Sequence, residues 1–109
     1  MSNPIESQTD ILSEIVGYLY DSAPSDFEEA ICIFEYFCEE DGSWSVGSQF
    51  SYLANEQNVD GYLNDQYNEV ASLVAKLHNI MLSHTGGEWI VFTLSVKNGG
   101  PANVKFKYA

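Results

Sequence analysis

Every lysine of this 109-residue chain lies beyond residue 75, arginine is absent, and every acidic residue except Glu88 lies before residue 76. The segment 1–75 therefore carries fifteen carboxylates and no cation, a local charge of −15. The remainder sets Lys76, Lys97, Lys105 and Lys107 against Glu88, a balance of +3, and the net charge is −12. An unpaired charge is costly to bury, so these acids must be solvated or answered by another molecule. Each element of the first 75 residues must then turn its acids outward and build the core from the apolar residues between them. Those residues suffice. A hydrophobic content of 45% with 14% aromatics supports a packed core in one domain spanning 1–109.

The apolar spacing sets the order of elements. Ile11, Leu12, Ile15, Val16 and Leu19 recur at helical spacing over 7–22, with Ser7 or Thr9 as cap and Pro24 closing the segment. Residues 28–53 read as a long β-hairpin. Ala30, Cys32, Phe34, Tyr36 and Cys38 share one face, and Ile31, Ile33 and Phe37 share the other with Glu29, Glu35 and Glu39. Asp41-Gly42 marks the turn. The return strand alternates Trp44, Val46, Phe50 and Tyr52 against Ser45, Gly47, Gln49 and Ser51, and this alternation favours a core position for Trp44 and Tyr52. Residues 54–64 are polar and read as a loop. A second helix over about 65–83 carries Val70, Leu73, Val74, Leu77, Ile80 and Met81 on one stripe, with Asn64 or Asp65 as cap and Gly86-Gly87 as stop. A last hairpin joins 89–96 to Val104, Phe106 and Tyr108. In its first strand, period-2 spacing puts Ile90, Phe92, Leu94 and Val96 opposite Trp89, Val91, Thr93 and Ser95. The predicted order is α-β-β-α-β-β, an α+β domain with an antiparallel sheet of two hairpins and two helices on one face.

Several function classes are disfavoured. The longest apolar runs, Ala30 to Phe34 and Trp89 to Phe92, are far short of the ~20 residues of a membrane helix. The N-terminus has no basic or apolar leader, and a bacterial cytoplasmic location is expected. Without a basic patch, direct nucleic-acid binding is disfavoured. His78 and His84, six apart, do not share a helix face, so a joint metal site is not expected and surface or helix-end roles are. Cys32 and Cys38 read as small buried hydrophobes. On one strand they lie roughly 20 Å apart, too far for a disulfide. The Glu39-Glu40-Asp41 cluster lacks the ligand spacing of a calcium loop. No catalytic residue, metal or cofactor is expected.

A binding surface remains. Acids gather on or beside the first hairpin and in the segment after it, where tyrosines are interleaved. The expected partner-binding residues are Glu35, Glu39, Glu40, Asp41, Glu56, Asp60, Tyr62, Asp65, Tyr67 and Glu69. Charges steer encounter, while tyrosines anchor interfaces. The expected partner is a protein with a basic surface.

Certain residues resemble the YezG-like immunity proteins, bacterial antidotes to secreted polymorphic toxins. The likeness is carried by an N-terminal helix, the strand Ile33-Phe34-Glu35-Tyr36-Phe37, and a helix from Tyr67 to Leu82. Trp89, Thr93, Leu94, the turn Gly99-Gly100 and Phe106-Lys107-Tyr108 complete it. That family typically ends in an acidic-aromatic tail, where this chain has Lys105 and Lys107. The resemblance implies an α+β immunity protein that binds a cognate toxin, often a nuclease whose basic groove an acidic inhibitor can cover. An acidic DNA mimic or adaptor regulating a host DNA-binding protein is the alternative.

Overall fold

The computed structural model describes residues 4–65, 68–86 and 89–108. Helix α1 (Pro4–Ser22) is followed by strands β1 (Glu29–Cys38), β2 (Trp44–Ala54) and β3 (Gln57–Gly61), helix α2 (Glu69–Thr85), and strands β4 (Trp89–Lys97) and β5 (Ala102–Tyr108). The five strands form one antiparallel sheet in the order β3-β2-β1-β4-β5. Both helices pack on the same face, so the α+β class holds.

The sheet differs from two hairpins by the strand β3, which lies where a loop was expected. Asn55 and Glu56 both take positive φ, 53° and 65°, and together close a two-residue turn between Ala54 and Gln57. Paired positive φ values are the signature of the hairpin turn that matches strand twist. Asn-Glu fills it in place of the usual Asn-Gly, which hid the strand. The chain then crosses to α2, which returns it beside β1 as β4.

The core lies between the helices and the inner sheet face. Ile11, Ile15 and Leu19 of α1 and Val70, Val74, Leu77 and Met81 of α2 meet Ala30, Cys32, Phe34, Phe50, Phe92, Leu94 and Val96. Phe34 and Phe92, opposite each other on β1 and β4, stack with centroids 4.8 Å apart.

One irregularity reverses an expected face. The β4–β5 register shifts between Trp89 and Val91, so Ile90 is the extra residue of a bulge. Strict alternation sets Trp89 opposite Phe92, but the bulge turns Trp89 inward, fully buried, and leaves Ile90 exposed. Trp89 then meets the rings of His78 (4.9 Å), Phe92 (5.1 Å) and Phe106 (5.8 Å). His78 is accordingly a core residue, contrary to the surface role expected for it. Its ring stacks on Tyr36 at 3.9 Å and 13°. His84 lies exposed in the last turn of α2, where a basic group favours the helix dipole. The cysteines divide: Cys32 is buried as expected, whereas Cys38, near the strand end, is exposed, and neither is in a disulfide.

Candidate partner-binding surface

The acids expected to form one surface fall in four places. The first is the β1–β2 turn. Glu39 donates its N–H to the Ser43 carbonyl (2.8 Å), and Gly42 donates to the Glu39 carbonyl (3.0 Å) at a φ of 91° that glycine adopts without strain. Asp41 Oδ1 accepts from the Ser43 hydroxyl (2.6 Å) and backbone N–H (2.9 Å). These bonds hold the Asp41 carboxyl below the usual carboxylate range. Glu39, Glu40 and Asp41 are all exposed. Beside them stands Trp44, 46% exposed rather than in the core, because it pairs with Cys38 at the last rung of the β1–β2 ladder, next to the turn. Its indole stacks on Tyr36 at 6.3 Å and 13°. Tyr52, by contrast, packs half-buried against the core.

The second place is the joint between α1 and α2. Asp65 accepts from the N–H groups of Glu69 (2.8 Å, Oδ1) and Val70 (2.9 Å, Oδ2), satisfying two donors that a helix start leaves open. Asn68, at the formal cap position, is left-handed and makes no side-chain cap bond. Glu69 accepts a 2.6 Å bond from the Tyr18 hydroxyl. That bond first, then burial and the charges of Glu69, Asp65 and Glu14, push the Tyr18 phenol up to about 12. Of the residues expected to face a partner, Asp65 thus caps α2 and Glu69 ties α2 to α1. Tyr62, just after β3, is 93% exposed.

Glu56 occupies the β2–β3 turn, at the opposite end of β2 from the tip acids. Eleven residues of strand separate them, roughly 35 Å. Glu35 and Asp60 lie on the sheet face that no described helix covers, Glu35 half-buried and Asp60 exposed. Tyr67 lies outside the described residues. The fold therefore joins Tyr62, Asp65 and Glu69, keeps Glu39 to Asp41 together elsewhere, and separates Glu56 from both.

Glu14 and Tyr18 were missed. Their one-turn spacing on the flank of the α1 stripe was visible, but Tyr18 meets Glu69 across 51 residues of sequence, a distance no local pattern reports.

Among the described residues, no group of three or more His, Cys, Asp or Glu side chains could hold a metal ion. A cavity of about 400 Å³ between α1 and the β4–β5 hairpin is lined mainly by aliphatic side chains, among them Leu12, Val16, Leu94 and Val104. No acid–base pair lines it. No described helix is long and apolar enough to cross a membrane.

No protein-family model matches the chain. It is similar to a Stenotrophomonas maltophilia protein named "Chorionicgonadotropic hormone-like protein", 35% identical over 78 residues. The match covers 71% of this chain and 18% of that relative, so it spans less than a fifth of the relative's length.

Proposed function

We propose that this chain is an immunity protein, acting in the bacterial cytoplasm, that binds and neutralises a cognate toxin with a basic surface, a nuclease domain being the expected target. The observation that carries the proposal is the separation of charge in the fold. Exposed carboxylates ring α1, the β1–β2 tip and the start of α2, and three of the four lysines lie on β4 and β5. A surface of one sign accelerates encounter with a surface of the other and disfavours wrong partners. The protein contributes binding alone, without catalysis, cofactor or direct contact with nucleic acid.

The β1–β2 tip is the sharpest test. Its three carboxylates sit beside exposed Trp44, an aromatic anchor within an acidic rim. Replacing Glu39→Gln, Glu40→Gln and Asp41→Asn removes three charges and keeps an oxygen to accept from Ser43. Association with the toxin encoded beside the gene should slow, and the rate should lose much of its dependence on salt. An unchanged rate would move the contact to the α1–α2 joint. Recovery of a host DNA-binding protein from native cells, with no toxin, would instead support the DNA-mimic or adaptor reading.

A further inference from the structure

The register of the strands lays out the uncovered sheet face row by row. One row holds Leu53, Glu29 and Lys97. The next holds Asp60, Ser51, Ile31, Ser95 and Asn103, and the next Gln49, Ile33, Thr93 and Lys105. The last full row holds Gly47, Glu35, Val91 and Lys107, and Phe37 with Ser45 lies beyond it. Ile31, Ile33, Leu53 and Val91 are half-buried, and Phe37 is 48% exposed. Three of the chain's four lysines stand on this face against three acids, Glu29, Glu35 and Asp60. In a molecule of net charge −12, the three lysines and three acids of this face balance, with an apolar centre along β1.

We propose that this face binds a second copy of the chain. Closed dimers require one patch to complement itself under a two-fold rotation. With the axis parallel to the strands and midway between β1 and β4, β1 of each copy lies over β4 of the other. Glu29 then faces the partner's Lys97, and Glu35 lies over the partner's Val91 beside the partner's Lys107. Ile31 and Ile33 cover the partner's Ser95 and Thr93. An axis across the strands would set lysine-bearing β5 on itself, so the charge pattern selects the first arrangement. Four overlapping strands at ~4.8 Å spacing and ~30 Å length give about 600 Å² per copy in projection. This is near the roughly 800 Å² per partner of a standard interface. The helix layer and the β1–β2 tip stay free for another protein.

Sedimentation equilibrium of the full chain over micromolar to near-millimolar concentrations tests the proposal. A reversible dimer is expected. Raising salt from low to moderate strength should tighten it, because screening relieves repulsion between two copies of charge −12. A toxin bound through the acidic surface should respond in the opposite sense, so the two readings fail separately. Ile33→Asp should weaken dimerisation by about tenfold or more with an unchanged circular dichroism spectrum. Lys97→Glu should weaken it too, and adding Glu29→Lys should restore it. Because the two residues are also neighbours on one chain, the thermal midpoint of each variant is compared with the parent's, and a dimer lost while the midpoint holds assigns the effect to the interface. A chain that sediments as a monomer at every concentration and salt overturns the proposal. So does a dimer indifferent to both Ile33→Asp and Lys97→Glu.

Discussion

Asp65→Ala separates a structural role from a contact role at one residue. Asp65 accepts from two N–H groups at the start of α2, at 2.8 and 2.9 Å, and Asn68 makes no side-chain cap bond in its place. Loss of a capping side chain costs about 0.5–2 kcal/mol. With both carboxylate oxygens engaged, the upper half of that range applies, about 1–2 kcal/mol. Each kcal/mol shifts the midpoint of a domain near this size by about 4–8 °C, so Tm should fall by roughly 4–16 °C. Hydrogen exchange locates the effect: the amides of Glu69 and Val70 should lose protection, while those at the centre of β1 change only as global stability does. Asp65→Asn, which retains one acceptor oxygen, should recover part of the loss. A Tm within about 1 °C of the parent, with unchanged exchange at both amides, would refute the capping role. Any toxin-binding defect of the variant would then belong to direct contact.

The Tyr18 phenol is raised to about 12 by its bond to Glu69. A raised acid stabilises the fold fully below its unfolded value near 10, and the contribution is lost as pH rises from there towards 12. Denaturant midpoints of Tyr18→Phe should therefore fall less steeply across that window than those of the parent; parallel curves would deny the linkage. Burial raises the Cys32 thiol to about 12, whereas Cys38 is exposed. A thiol reagent near pH 8 should modify Cys38 in the native protein and reach Cys32 only after unfolding; rapid native labelling of both would contradict the burial of Cys32. Phe34→Ala should cost about 3–5 kcal/mol in chemical denaturation, because Phe34 is fully buried and stacked on Phe92. A loss below about 1 kcal/mol would deny it a place in the core.

Periodicity alone placed both helices and four of the five strands, because the apolar stripe of α1, the alternation of β1 and the Asp41-Gly42 turn are local signals. Charge told equally directly that the acids stand outward, since nothing on the first 75 residues can pair with them. What it did not reveal was their grouping. Asp65 and Glu69 lie together with Tyr18 and Glu14 because α2 runs back beside α1. Glu56 lies far from the tip acids because it occupies the other end of the same strand. Three further features depended on tertiary structure. β3 forms because Asn55 and Glu56 accept left-handed backbone in a hairpin that β2 can pair. Trp89 faces inward because one bulged residue inverts the alternation, and a period-2 pattern has no means of announcing an insertion. His78 is buried because Tyr36 and Trp89, distant in sequence, offer it two aromatic surfaces. The sequence by itself determined which residues could be inside and which charges needed an answer. Only the assembled sheet decided which carboxylates stand together, and that three of the four lysines share the uncovered face with the acids of β1 and β3.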